Sequence, residues 1–271
     1  MARRRLDAEL VRRGLVATRS EAQAAVREGL VLVGGVPVPK PSTLIEPQDP
    51  VELLGPARRF VSRGGDKLDA AIDRFGIEVA GRRCLDAGAS TGGFTDCLLA
   101  RGAHHVVAVD VGYGQLAWSI RRDERVTVLE RTNIRDLSLA DLPYASEVAV
   151  ADLSFISLRL VVPVLAGICA DPADLVLLVK PQFEAGPAEV GRGGVVRDEA
   201  VWARCVEDVG QACRSAGLTP VAVMASPLPG PAGNVEFPLH VRTGPAAGGP
   251  DLTAAIEEGR TLAAAGSKGP A

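Results

Sequence analysis

Two carboxylates flanking a loop of small residues are the first groups in this chain that could do chemistry. Cys84-Leu85-Asp86-Ala87-Gly88-Ala89-Ser90-Thr91-Gly92-Gly93 reads as a short apolar strand running into a glycine-rich loop. The loop opens a helix from Phe94 to Arg101, closed by Gly102. A second strand, His105 to Val109, then ends in Asp110. Strand, loop, helix, strand and acid make a nucleotide-binding βαβ unit, in which the acid suits ribose hydroxyls. A dinucleotide fingerprint would aim its backbone N–H groups at a pyrophosphate. Here the glycines stand at 88, 92 and 93, and Asp86 precedes the loop. A carboxylate at that point repels pyrophosphate and suits a cation. S-adenosyl-L-methionine, with an ammonium, a sulfonium and a ribose but no phosphate, fits that chemistry.

Further polar residues stand where apolar strands emerge. One strand ends at Asp152 in Val148-Ala149-Val150-Ala151-Asp152, another at Lys180 in Leu177-Leu178-Val179-Lys180. In doubly wound sheets, ligands bind beyond the carboxyl ends of the parallel strands. A final antiparallel strand would begin on that same edge, and Glu236 stands at its start. Lys67 comes from a helix placed before the first strand. Lys67, Asp152, Lys180 and Glu236 can therefore converge on one pocket. Lysines suit the activation of a hydroxyl, because a desolvated or cation-flanked lysine gives up its proton. Lys180 is the candidate base, Lys67 the second cation, and the two carboxylates orient the lysines.

The elements that must position these groups form an alternating series. Strands are expected at 84–87, 105–110, 126–130, 148–152, 174–180, 220–226 and 235–241. Helices are expected at 66–75, 93–101, 115–121, 158–169 and 199–216. This is an α/β, doubly wound, Rossmann-like sheet. The Gly/Ala-rich tail, 244–271, is expected to hold a short helix near Leu252 to Leu262 and to fray elsewhere. Apolar content of 47% and charged content of 23% over 271 residues are those of a globular protein with a sizeable core. No apolar run is long enough to span a bilayer, and no leader-like stretch follows Arg3-Arg4-Arg5. Five cysteines without a C-x-x-C pair and three histidines imply a reduced, cytoplasmic protein with no metal site.

Net charge is −3, yet its distribution is uneven: residues 1–63 carry +4 and the remainder −7. Such asymmetry suits a basic module joined to an acidic catalytic body. In that module Leu6 to Arg13 and a segment from the capping-box sequence Thr18-Arg19-Ser20-Glu21 to Glu28 read as helices, closed by Gly14 and Gly29. Leu30 to Val33, Gly34-Gly35 and Val36 read as a hairpin, and Val51 to Leu54 as a further strand. The run Arg5-Leu6-Asp7, Leu10-Val11-Arg12-Arg13-Gly14-Leu15 and Gly29-Leu30-Val31-Leu32-Val33-Gly34-Gly35 resembles the S4 RNA-binding module. That resemblance implies RNA contacts by Arg4, Arg5, Arg12, Arg13, Arg19 and Arg27.

The order Lys67, Asp152, Lys180, Glu236 resembles the tetrad of FtsJ-like ribose 2'-O-methyltransferases. With the S4-like part it is similar to the TlyA family of rRNA cytidine 2'-O-methyltransferases. The stretches that carry the likeness include Ser62-Arg63-Gly64-Gly65-Asp66-Lys67-Leu68, the loop 85–95, Asp110-Val111-Gly112-Tyr113-Gly114-Gln115-Leu116, Asp152-Leu153-Ser154-Phe155, Lys180-Pro181-Gln182-Phe183-Glu184 and Ser226-Pro227-Leu228-Pro229-Gly230 through Glu236. The resemblance implies an S4-like domain at 1–54, a linker at 55–62 and a methyltransferase domain at 63–243. Members can carry Trp in the linker where this chain has Phe60. It implies that Gly88, Ala89, Ser90, Gly92 and Gly93, with Asp86 before them, surround the methionine part of the cofactor. Asp110 then faces the ribose, Asn133 the adenine and Phe155 the methyl donor. The implied partner is rRNA within ribosomal subunits, at helix 44 of 16S or helix 69 of 23S rRNA. The family has also carried a haemolysin label, which nothing in this sequence supports. A base methyltransferase remains an alternative, though Asp152-Leu153-Ser154-Phe155 lacks the Asn/Asp-Pro-Pro-aromatic motif of base-amino chemistry. A non-catalytic assembly factor is the other, and retention of all four polar residues argues against it.

Overall fold

The computed structural model describes residues 3–16, 18–27, 29–54, 59–191, 193–230 and 232–266. Glu28, the linker residues Gly55 to Arg58 and the last five residues, on which some expectations fell, lie outside them. The chain divides into two compact units, 1–59 and 60–271.

In the first unit, β1 (Arg4–Arg5) leads into α1 (Leu6–Arg12), followed by α2 (Arg19–Arg27). Strands β2 (Val31–Val33), β3 (Val36–Pro37), β4 (Leu44–Ile45) and β5 (Val51–Leu53) complete it. Apolar spacing decides the packing: Leu6, Leu10, Ala22, Ala25 and Val26 fall on facing helix stripes and are buried with Val31 and Ile45. The Glu21 N–H donates to Thr18 Oγ1 at 3.2 Å, one half of the expected capping box. Gly34 and Gly35 both adopt positive φ, as a two-residue hairpin turn requires, and β2 pairs antiparallel with β3 and β5. The pairing of β1 with β4 was not expected, because two-residue strands leave no periodic signal.

The second unit opens with α3 (Arg63–Phe75), β6 (Arg83–Ala87), α4 (Gly93–Ala100), β7 (His105–Asp110), α5 (Trp118–Arg121) and β8 (Val126–Glu130). It continues with β9 (Ser146–Ala151), α6 (Val162–Ile168), β10 (Cys169–Val179), α7 (Pro181–Glu184), α8 (Glu199–Ser215), β11 (Leu218–Val223), β12 (Phe237–Thr243) and α9 (Leu252–Gly266). The sheet order is β11-β12-β10-β9-β6-β7-β8. Pairings among β10, β9, β6, β7 and β8 are parallel, and β12 runs antiparallel between β10 and β11. The central strands are buried on both faces, which explains their unbroken apolar runs. One face packs on α3 and α4, the other on α6 and α8.

Two expected helices differ from the outcome. The helix expected at 115–121 is a single turn, Trp118–Arg121, since Gly114 and the preceding loop hold residues 115–117 out of helical geometry. The helix expected at 158–169 is a 3-10 turn, Leu158–Leu160, then α6, and Cys169 already begins β10. The helix expected near Leu252 to Leu262 is α9, which runs on to Gly266 and buries Ala255 and Ile256 against the core. Its Arg260 donates to Glu199 on α8 at 2.7 Å. Among the described residues no helix is long and apolar enough to cross a membrane, and no group of His, Cys, Asp and Glu has metal-ligand geometry.

Phe60, expected in the linker, is buried in the second unit's core beside Leu68 and Phe94. It lies so close to α3 that a Cβ on Gly65 would stand 2.4 Å from the Phe60 Cβ. Gly65→Ala must therefore push the ring or the helix aside. Overpacking of this kind costs about 1–3 kcal/mol. A urea midpoint lowered accordingly is expected, and an unchanged midpoint would show that Phe60 does not pack under the helix.

Candidate active site at the carboxyl edge of the sheet

The parallel strands β6, β7, β9 and β10 all end on one edge, and β12 begins there. The register places Val179 opposite Phe237, so Lys180 and Glu236, one step beyond, are neighbours on adjacent strands. Asp152, one residue past β9, donates its N–H to Ala87 O at 3.0 Å, which holds it beside the end of β6.

The four charged residues form two ion pairs. Lys67 Nζ on α3 donates to Glu236 Oε2 at 2.5 Å, and both side chains are buried. Lys180 Nζ lies 2.6 Å from Asp152 Oδ1 and donates to Ser154 Oγ at 3.2 Å. A Cβ on Gly230 would meet Glu236 Oε1 at 2.4 Å, so the 226–236 loop needs a glycine to admit that carboxylate.

Asp152 and Ser154 also line a cavity of about 420 Å³, within the usual range for small-molecule sites. Gly88, Ser90, Asp110, Asn133, Asp152 and Phe155 contribute to its wall. Gly88 has φ +89°, and a Cβ there would stand 2.6 Å from Asp152 O, so only glycine lets β6 and β9 approach this closely. Asp110 Oδ2 accepts from the Ser90 N–H at 2.7 Å and Oδ1 from the Gly112 N–H at 2.6 Å. Its remaining lone pairs can still take ribose hydroxyls. Ala89, Ser90 and Asp110 also line a small adjoining cleft. Asn133 caps the following 3-10 turn by accepting the Arg135 N–H at 3.1 Å.

The other residues expected around the cofactor sit elsewhere. Asp86 is fully buried, with Oδ2 accepting from Thr95 Oγ1 at 2.7 Å and Oδ1 without a partner among the described residues. Burial pushes its carboxyl up to about 7. Gly92 and Gly93 serve packing: a Cβ on Gly93 would meet Ser62 Oγ at 2.0 Å, and one on Gly92 would meet Leu116 at 2.9 Å. Neither is on the wall of the large cavity.

The loop after β9 is strained. Phe155 has φ +63° and is 92% exposed, its ring 5.2 Å from that of Phe183. A bulky residue in left-handed backbone costs of order 1–3 kcal/mol and persists only where its surroundings hold it. Glu184, buried on α7, supplies the hold: it accepts from Ser157 Oγ at 2.5 Å and from the Leu158 N–H at 2.7 Å. Burial raises its carboxyl above the usual range. Ser154 and Glu184 were not singled out from the sequence, although both lie in the stretches that carry the family likeness. A hydroxyl two residues after Asp152 and a carboxylate four after Lys180 were the available signals.

Of the arginines in the first unit, Arg5 and Arg19 gather on Asp7, and Arg4, Arg12 and Arg13 on Glu9. Arg13 turns inward and also donates to Asp49 O and Pro47 O at 2.8 and 2.9 Å. Arg27 donates to Gln23 Oε1 at 3.2 Å and is otherwise exposed.

Residues 60–243 match the FtsJ-like methyltransferase family and residues 4–51 the S4 domain. The chain is 54% identical over 245 residues to the 16S/23S rRNA (cytidine-2'-O)-methyltransferase TlyA of Mycobacterium tuberculosis, covering 90% of this chain and 91% of that one. It is 38% identical to Hemolysin A of Brachyspira hyodysenteriae, over 87% of this chain and 98% of that protein. A solved structure from Streptococcus thermophilus that bears a hemolysin label superposes with a TM-score of 0.77 at 38% identity, covering 99% of this chain and 98% of its own.

Two expectations concern buried charge. Lys67→Met leaves Glu236 buried without its partner, a change that costs about 3–5 kcal/mol, whereas Lys67→Met with Glu236→Leu should recover most of that loss. Denaturant unfolding of the single and double variants checks this; a double variant as unstable as the single one refutes it. For Asp86, the folded chain keeps a proton between about pH 4 and 7 that the unfolded chain releases. Its contribution is therefore greatest in acid and is lost as pH rises through about 7. Asp86→Asn, which has no proton to lose, should gain stability relative to the parent between pH 4 and 8. Parallel unfolding curves across that range would contradict it.

Proposed function

The chain belongs to the TlyA family of methyltransferases, in which an S4 domain precedes an FtsJ-like domain, and on that premise we propose the following roles for its residues. It methylates the ribose 2'-hydroxyl of a cytidine in rRNA, within ribosomal subunits in the cytoplasm. Residues 1–54 bind RNA, 55–59 connect, and 60–243 form the catalytic domain, against which the helix of the tail packs. The observation that carries the catalytic reading is the Lys180 amine, held by Asp152 and Ser154 where two residues of the cavity wall meet the carboxyl edge.

S-adenosyl-L-methionine supplies an electrophilic methyl group on a sulfonium. Gly88 and Ser90 give that ligand close access to backbone, Asp110 takes its ribose hydroxyls, and Asn133 meets its adenine. Lys180 takes or shares the proton of the 2'-hydroxyl, which is a poor nucleophile while it keeps it. Asp152 and Ser154 fix where the amine points. Lys67 and Glu236 neutralise each other and close the edge beside Lys180. Alignment of this kind can remove roughly 7–11 kcal/mol of a barrier, so small displacements of Lys180 matter.

Lys180→Ala should abolish methyl transfer while changing S-adenosylmethionine affinity by no more than about twofold, a few tenths of a kcal/mol. Heavy-methyl labelling followed by mass spectrometry of digested rRNA reads transfer and locates the methyl on sugar or base. Calorimetry reads the cofactor. Transfer by Lys180→Ala at the parent rate, or label on a base, would overturn the assignment.

A further inference from the structure

Two carboxylates on α1 have no place in the chemistry described above, yet they are the most deeply buried charges among the described residues of the first unit. The side chains of Asp7 and Glu9 are both 0% exposed. Burying a carboxylate is costly unless it is paired and hydrogen-bonded, and both are. Asp7 accepts both arms of the Arg5 fork, at 3.0 and 2.8 Å, together with Arg19 Nη2 at 3.2 Å and Gln23 Nε2 at 3.2 Å. Glu9 accepts both arms of the Arg12 fork, at 2.8 and 2.5 Å, and Arg13 Nε at 2.9 Å, with Arg4 Nη1 at 4.0 Å. These guanidiniums hold both carboxyls well below their usual range.

The outward faces matter as much. Side chains of Arg4, Arg5, Arg12 and Arg19 remain 54, 46, 50 and 57% exposed. Arg5, Arg12 and Arg19 are hydrogen-bonded on the inner side by a carboxylate and open to solvent on the other, and Arg4 stands 4.0 Å from Glu9. A guanidinium has five N–H donors, so donors remain for a second acceptor. The result is a fixed array of positive groups in which the side-chain freedom has already been surrendered before any ligand arrives. A polyanion with regularly spaced phosphates is the ligand such an array fits.

We propose that Asp7 and Glu9 are positioning residues for RNA: by gripping Arg5, Arg12 and Arg19 from beneath, they present preset guanidiniums to successive backbone phosphates. The proposal rests on the reading of this unit as the RNA-binding part. It makes a prediction opposite in sign to simple electrostatics. Deleting a negative charge from a surface that binds RNA should strengthen binding if charge alone counts. It should weaken binding if the carboxylate holds the arginines in place.

The test uses the full-length protein, an in vitro transcript of 16S rRNA and a salt series read by filter binding. Asp7→Asn and Glu9→Gln should each weaken binding by about tenfold, the scale of one charge-assisted hydrogen bond, despite the gain in positive charge. Each should also flatten the dependence of log affinity on log salt by about one unit for every phosphate the arginines cease to neutralise. In a background carrying Arg5→Ala and Arg19→Ala, adding Asp7→Asn should cause no further loss, because the residues it positions are gone. A generalised folding defect would show in circular dichroism melts and would persist in that background. Should Asp7→Asn fail to fold, Glu9→Gln reads the same effect through Arg12. Equal or tighter binding by folded Asp7→Asn and Glu9→Gln, with the parent slope, overturns the proposal and leaves the RNA reading intact. A parent protein whose binding ignores salt overturns both.

Discussion

The antiparallel entry of β12 beside β10 is the constraint on which the charged edge of the sheet depends. It brings Glu236, remote in sequence from every other charged residue of the site, next to Lys180. The ion pair from Glu236 to Lys67 then ties the first helix of the unit to the last strand of its sheet. A buried pair of this kind adds little net stability over a well-packed apolar pair, but its geometry is demanding. It cannot form unless α3, the 226–236 loop and β12 are all in place. The loop obliges with Gly230, whose missing Cβ leaves room for the carboxylate.

A second set of constraints shapes the loop after β9. Asp152 is anchored to β6 through its N–H, and Gly88 lets those two strand ends approach. Three residues later the chain adopts left-handed backbone at Phe155 and projects that ring outward. Glu184 accepts two hydrogen bonds from the far end of the loop, and Lys180 binds its near end through Asp152 and Ser154. The segment Lys180 to Glu184 therefore holds both ends of the loop from one short helix. Asp86 belongs to a different layer: buried beneath the glycine loop and bound to Thr95, it supports the turn from within instead of facing its cavity.

In the first unit the same logic appears with opposite exposure. Carboxylates lie inside and guanidiniums outside, so the module's basic face is built on buried acid. The net charge of +4 over residues 1–63 thus understates how ordered the positive groups of this unit are. Arg13 shows the limit of reading arginines by composition, since two backbone carbonyls and Glu9 draw it inward.

Much of this was legible from the chain alone. The strands of the second unit announced themselves because a sheet covered on both faces demands continuous apolar runs. Polar residues at the ends of those runs marked one edge of the sheet, and Lys67, Asp152, Lys180 and Glu236 could be named as charges that meet there before any coordinates. Alternation of strand and helix, with the charge asymmetry, revealed two modules. What tertiary structure decided were the pairings. No local pattern tells that Lys67 takes Glu236 and Lys180 takes Asp152, because partner choice depends on strand order and register. The same holds for Asp86, Gly92 and Gly93, which a linear motif assigns to a ligand and packing assigns to the interior. Phe60, preceded by Arg58-Arg59, looked like linker until long-range contacts buried it, and the burial of Ala255 and Ile256 on the expected tail helix was likewise decided by those contacts. Sequence determines what each residue can do; distance between residues far apart in the chain determines which of those possibilities is used.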